Sequence, residues 1–271
     1  MRETQLVATD MDHTLLTEMG EIPPMFESCV KQLKQLGVSV AIASGRPLYT
    51  LRALFPRLAD DLIFISDNGA AIAHQDDFLF KSIIEASRYQ QLVRYVEQHT
   101  SGVAVICGLD TAYVSQSGLP HMEFLKRFYA KIQVVEKLSA VDAIANKFTV
   151  YFPNADAQAS YENDFMPRFN HDYSITLGDT MWIDMMNPGV NKGTAMHFMG
   201  KALQISTEQM MAFGDTYNDI EMLQAVKYSY TMANAHPDMR QYAKFMTKSN
   251  DEYGVIQILE QLIQTKTSEW V

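Results

Sequence analysis

Two aspartates one residue apart, in Asp10-Met11-Asp12-His13-Thr14, close the apolar run Leu6 to Thr9. If the backbone is still extended there, alternate side chains leave on one side and both carboxylates face one space. Neighbouring carboxylates repel unless a cation or a shared proton separates them, so the pair needs a physical reason. A second acidic strand end, Asp215 and Asp219 in Gly214-Asp215-Thr216-Tyr217-Asn218-Asp219, follows the run Met210 to Phe213. Any one of these acids could simply cap a helix N-terminus. Jointly they would build a cluster of oxygen ligands, the hard environment that suits Mg²⁺. Ser44, in Ala43-Ser44-Gly45-Arg46-Pro47, ends another apolar run, and Gly45 after it permits close backbone approach; the alternative is a helix N-cap. Lys192 lies in the turn-rich Asn187-Pro188-Gly189-Val190-Asn191-Lys192-Gly193. It reads either as a solvated surface charge or as an ammonium that offsets carboxylates and an incoming phosphoryl group. A carboxylate nucleophile, a second carboxylate, a hydroxyl, an ammonium and a cation site together have the logic of phosphoryl transfer through an aspartyl-phosphate.

The elements that must position these groups are legible as short apolar runs ending in polar or small residues. Leu6 to Thr9, Val38 to Ala43 and Leu62 to Ile65 read as strands buried on both faces, as in a parallel sheet. Between the first two, Phe26, Val30, Leu33 and Leu36 recur at helical spacing before Gly37. The last third repeats the theme: Met210 to Phe213, a helix from about Asn218 to Ala225, Tyr228 to Met232, and a closing amphipathic helix around Val255 to Ile263. Both ends of the chain therefore predict one open α/β sheet. Ligands of such sheets gather outside the carboxyl ends of the strands, where the residues above fall.

The middle has a different texture. A helix around Tyr89 to Val96 precedes strand-like runs at Val103 to Cys107, Ala112 to Val114, Ile132 to Val135, Lys147 to Phe152, Tyr173 to Leu177 and Met181 to Met185. Helices are expected around Met122 to Tyr129 and Ala157 to Phe169, and hairpin turns at Gly108-Leu109-Asp110 and Gly178-Asp179-Thr180. This predicts an α+β domain over 86–186 inserted into a core made of 1–85 and 187–271. Tyr113, Lys147, Phe148 and Trp182 lie in its strands, where aromatic residues are more often core than ligand contacts. Asn68 and Arg46 follow strand ends of the core and are better candidates for substrate contact, with a hinge or cap-docking role as the alternative.

The 271-residue length fits one large or two modest domains at roughly 150 residues each. With 47% hydrophobic and 20% charged residues, the composition excludes disordered and low-complexity scaffolds. The net charge of −10 and the lack of basic runs argue against nucleic acid. Cys29 and Cys107 have no metal-type or redox-type spacing, which fits a reduced, cytoplasmic protein without a disulfide framework. No window is apolar enough to span a bilayer, and the N-terminus is too acidic for a signal peptide. Phosphate loops, dinucleotide fingerprints, nucleophile elbows and zinc clusters are missing from the sequence.

The four motifs, in order, resemble those of the haloacid dehalogenase superfamily of phosphohydrolases, and more narrowly its Cof-type sugar-phosphatase branch. The likeness runs over the whole chain: Asp10 to Leu15, Ser44-Gly45-Arg46, Lys192, and Gly214-Asp215 through Asn218-Asp219, with Ser66-Asp67-Asn68-Gly69-Ala70 resembling a segment typical of the branch. It implies a Rossmann-like parallel-sheet α/β core with a large inserted α+β cap domain that selects the substrate. It also implies Asp10 as nucleophile and Asp12 as acid and base. Mg²⁺ would be held by Asp10, the carbonyl of Asp12 and Asp215, with Asp219 and Asn218 in support. Ser44 and Lys192 would bind the phosphoryl group, with Gly45, Arg46 and Asn68 at the substrate. One departure is His13, where relatives carry Gly; the ring is expected to face solvent or pack under the cap. The expected partner is a small phosphorylated metabolite, and the protein is expected to be a monomer or homodimer. A phosphomutase of the same superfamily and a non-catalytic phosphometabolite-binding protein are the alternatives.

Overall fold

In the computed structural model, which describes residues 1–268, the chain divides into two compact units. The first comprises Met1–Ser44, Phe55–Phe80 and Asn191–Val271; the second comprises Gly45–Leu54 and Lys81–Val190.

The first unit is built on β1 (Leu6–Asp10), α1 (Phe26–Gln35), β2 (Ser39–Ala43), β3 (Leu62–Ser66), β4 (Ala71–His74) and β5 (Asp77–Lys81). It resumes with helix Lys192–Leu203, strand Met210–Gly214, helix Ile220–Ala225, strand Tyr228–Thr231, the short strand Phe245–Met246 and helix Gly254–Thr267. In the sheet, strand Met210–Gly214 pairs with β1, β1 with β2 and β2 with β3, all in parallel. β1, β3 and strand Met210–Gly214 are buried at every position. The apolar runs show no alternation because helices cover both faces. Leu6, Ala8, Ala41, Ala43, Ile63 and Ile65 pack on Met196, Met199, Met222 and Leu223 of two following helices.

The core strands are parallel, as expected, and the sheet carries an antiparallel addition at one edge. β4 turns back antiparallel to β3, and β5 extends that edge of the eight-stranded sheet. The sequence announces neither strand, since Ala71-Ile72-Ala73 is short and β5 is largely exposed and so lacks a one-sided apolar pattern. The helix α2 (Leu48–Leu54), which belongs to the second unit, was also missed.

The second unit continues with α3 (Ala86–His99), β6 (Val103–Gly108), β7 (Ala112–Val114), α4 (Met122–Leu125), β8 (Ile132–Val134), β9 (Ala145–Tyr151), α5 (Ala157–Ser160), α6 (Met166–Phe169), β10 (Ser174–Asp179) and β11 (Trp182–Met186). Its sheet has the order β10-β11-β9-β6-β7-β8 and is antiparallel except for the parallel pairing of β7 with β8. The two hairpins fall at the expected turns, Gly108 to Asp110 and Gly178 to Thr180. The helix expected over Met122 to Tyr129 is shorter, ending at Leu125, and the one over Ala157 to Phe169 contains a widened π turn at Tyr161–Phe165. Phe148 is core, packed with Tyr89, Val93 and Phe165 below the sheet. On the other face Trp182 stacks among Phe124, Phe128 and Tyr151. No helix among the described residues is long and apolar enough to cross a membrane.

For the rest of the first unit the labels are α7 (Lys192–Leu203), β12 (Met210–Gly214), α8 (Ile220–Ala225), β13 (Tyr228–Thr231), β14 (Phe245–Met246) and α9 (Gly254–Thr267).

Candidate active site

Strand register brings the acidic strand ends side by side. Asp10, the last residue of β1, is paired with Ala43 of β2, so Ser44 leaves the next strand immediately beside it. On the other side Thr9 is paired with Phe213 of β12, and Asp215 follows the end of that strand. Lys192 opens α7, whose start is fixed by a capping box: Asn191 accepts from the Thr194 amide at 2.7 Å, and the Thr194 hydroxyl faces the Asn191 amide at 3.1 Å. Gly193 lets α7 lie directly on α8, because a Cβ there would fall 2.6 Å from the backbone of Glu221.

The Lys192 ammonium is fully buried and donates to Asp10 Oδ1 and Asp219 Oδ1, each at 2.6 Å. Asp219 is braced from the other side, its Oδ2 accepting from the amides of Asp215 and Thr216 at 3.1 and 3.3 Å. Thr14 donates to Asp215 Oδ1 at 2.7 Å. Ligand oxygens of Asp10, Asp215 and Asp219 all lie within 4.8 Å of one another. Asp12 is half-buried on extended backbone one residue past Met11.

Three carboxyl groups thus share one ammonium in a buried space. Burial pushes the Asp10 carboxyl well above the usual range, Lys192 pulls against that, and the charges of Asp219 and Asp215 add to the rise. Asp215 is pushed up to about 6 by burial and then by the Asp219 charge. Burial alone would lower the Lys192 ammonium, but the charges of Asp10 and Asp219 outweigh it and hold its titration above the ordinary value. A divalent cation supplies the charge that this set lacks, and carboxylate oxygens are its preferred donors, so these residues fit Mg²⁺. Asn218 fits the same surroundings: its Oδ1 is buried with no hydrogen-bond partner among the described residues.

The structure therefore brings together Asp10, Asp215, Asp219 and Lys192, places Ser44 just past the end of the adjoining strand, and hydrogen-bonds Asn218 to Asn68 at 3.1 Å. Gly45 and Arg46 group with the second unit. There the Gly45 carbonyl accepts from Lys147 at 2.6 Å, while Arg46 donates to the Arg127 carbonyl at 2.9 Å and lies 5.0 Å from the Phe128 ring centre. Lys147 is buried and paired with Asp184 at 3.2 Å, an ion pair that aromatic and strand patterns could not announce. Nothing local marks out Thr14, which is brought to Asp215 by the pairing of β1 with β12. His13 adopts a left-handed backbone with φ 58°, and its exposed ring reaches Glu18 at 3.1 Å. The ring faces solvent, one of the two placements expected for it.

The chain matches the haloacid dehalogenase-like hydrolase family over residues 7–259. It is 24% identical over 270 residues to the 5-amino-6-(5-phospho-D-ribitylamino)uracil phosphatase YbjI of Escherichia coli (strain K12), covering 96% of each chain. It is 26% identical to the phosphatase YwpJ of Bacillus subtilis (strain 168), covering 96% of this chain and 100% of that protein. The crystal structure of SMU.1108c from Streptococcus mutans UA159 superimposes with a TM-score of 0.89 at 27% identity, covering 96% of this chain and 99% of that one. Matched in fold and in length, the chain belongs to the haloacid dehalogenase-like hydrolases and is an enzyme of the phosphatase kind.

Proposed function

We propose that the protein is a Mg²⁺-dependent phosphatase that hydrolyses a small phosphorylated metabolite, a sugar or polyol phosphate, through an aspartyl-phosphate on Asp10. The observation that carries this reading is the buried triad of Asp10, Asp215 and Asp219 set against the single Lys192 ammonium. The polyol assignment is supported by the E. coli relative, whose name specifies a phosphate on a ribityl chain.

A free oxygen of Asp10 attacks phosphorus, and the bond from phosphorus to the ester oxygen breaks. Asp12 gives its proton to the departing oxygen, so the product leaves as an alcohol. Asp12, now ionised, then takes a proton from a water molecule that attacks the phosphorus of the aspartyl-phosphate, which releases inorganic phosphate and restores Asp10. Lys192 holds Asp10 in place and, with the Ser44 hydroxyl, offsets charge on the phosphoryl oxygens. Asp10, the main-chain carbonyl of Asp12 and Asp215 would hold Mg²⁺, supported by Asp219 and Asn218; a bound ion would supply positive charge that offsets the phosphoryl group. We assign substrate choice to a cap formed by 86–186, inserted in a core of 1–85 and 187–271, with Gly45 and Arg46 as further substrate contacts. The two free, buried cysteines suit a cytoplasmic setting.

The test is phosphate release from p-nitrophenyl phosphate and a panel of sugar and polyol phosphates. Wild-type protein with Mg²⁺ is expected to turn over and Asp10→Asn to lose nearly all activity. Substantial turnover by Asp10→Asn would overturn the nucleophile, and an isomerised ester without free phosphate would replace hydrolysis with mutase action.

A further inference from the structure

Three consecutive residues after β3 hold left-handed backbone: Asp67 at φ 51°, Asn68 at φ 55° and Gly69 at φ 100°. For two non-glycine residues in succession this is strained, and such strain persists only where the surroundings over-determine it. The surroundings here are three other loops. The Asn68 amide donates to the Ser44 carbonyl at 3.0 Å. The Asn68 side chain, buried to 2% exposure, accepts from Asn218 Nδ2 at 3.1 Å. At Gly69 a Cβ would fall 2.4 Å from the Asn191 carbonyl oxygen, so only glycine lets this turn press against the cap of α7. One turn of three residues therefore touches the residue that bears the Ser44 hydroxyl, the residue before Lys192 and the residue before Asp219.

We propose that the Asp67–Gly69 turn is a positioning element for phosphoryl transfer, with Asn68 as its central residue. It registers the loops of Ser44, Lys192 and Asn218 against one another and does not itself touch the reacting atoms. This rests on the phosphatase reading above and assigns Asn68 a different task from direct substrate contact. The left-handed turn orients the Asn68 carboxamide toward Asn218 while its main chain holds Ser44, so a relaxed turn would let the hydroxyl and the ammonium drift independently. Small misplacements of that kind fall on turnover more than on binding, because the phosphoryl group is gripped in its final geometry only in the transition state.

The discriminating variant is Asn68→Gly, which keeps the left-handed backbone and the amide to Ser44 but removes the carboxamide. With p-nitrophenyl phosphate and saturating Mg²⁺, kcat is expected to fall about tenfold or more, with KM and the Mg²⁺ concentration for half-activity within about twofold of wild type. Asn218→Ala removes the same hydrogen bond from a half-buried position, so it tests the proposal even if Asn68→Gly folds poorly. The double variant is expected to be no slower than the slower single, since both remove the hydrogen bond that joins the two loops. Wild-type kcat in Asn68→Gly, or losses that multiply in the double variant, would overturn the positioning role. A wild-type protein that releases no phosphate would instead sink the phosphatase reading, which separates the two failures.

Discussion

Lys192 and Asp10 meet at 2.6 Å across 182 residues of chain, and the same ammonium is shared with Asp219 at an equal distance. One cation fully removed from water is thereby surrounded by anions from both acidic strand ends.

Replacing that cation exposes the arrangement. In Lys192→Met three buried carboxyl groups are left without their ammonium, which costs about 3 kcal/mol in the metal-free protein. Turnover should fall about a hundredfold or more even where the variant is folded. Urea unfolding and steady-state kinetics measure the two effects, and an unchanged unfolding midpoint would contradict the charge arrangement described for the site. Lys192→Arg should not restore activity, because a planar fork does not fit a pocket built for a compact ammonium.

The acidity of Asp215 would make metal binding at the proposed site depend on pH. Its carboxyl titrates at about 6 in the folded, metal-free protein against an ordinary 3.8. The folded state therefore binds this proton more tightly than the unfolded chain, and the group's contribution to stability declines as pH rises from about 4 to about 6. Above that window the carboxylate is ionised and unbalanced, which is where an added cation helps most. The Mg²⁺-induced rise in Tm should accordingly be larger at pH 7.5 than at pH 5, as read by thermal scans with and without EDTA. Equal rises at both values would count against Asp215 as a ligand.

The second unit carries an ion pair of its own, Lys147 with Asp184, at 3% and 9% side-chain exposure. Thr149 also donates to Asp184, at 2.6 Å. Removing one partner strands a buried charge, so Lys147→Met and Asp184→Leu should each lose about 3 to 5 kcal/mol. The double replacement should lose less than the more harmful single. A strictly additive result in denaturant titrations would show that the two charges do not stabilise one another.

Both cysteines should be inert in the native protein. Cys29 and Cys107 are buried, and burial pushes the Cys29 thiol up to about 11, far from the thiolate that reacts. A chromogenic disulfide reagent should therefore titrate neither thiol before denaturation and both after it. Rapid labelling of the native protein would place one of them at the surface.

Much of this architecture is written locally. Short apolar runs at Leu6 to Thr9, Leu62 to Ile65 and Met210 to Phe213 read as strands covered on both faces, and the polar residues that end them mark the sheet's carboxyl edge. The helical spacing of Phe26, Val30 and Leu33 is equally direct, since neighbours three and four apart share one face. Residue chemistry adds the next step: two aspartates at one strand end and two at another call for a cation or a shared proton between them. Beyond that point partner choice depends on strand order. β12, β1, β2 and β3 stand side by side, and only this sequence of neighbours lets Lys192 reach Asp10 and Asp219 together, or Thr14 reach Asp215. The link between Asn68 and Asn218, 150 positions apart, is of the same kind. So is the antiparallel return of β4, which follows from a left-handed turn whose cost is met by contacts with loops elsewhere in the chain. Periodicity and capping act over a few residues and are visible in order along the chain, whereas pairings between loops exist only once the sheet has set which strand ends are adjacent.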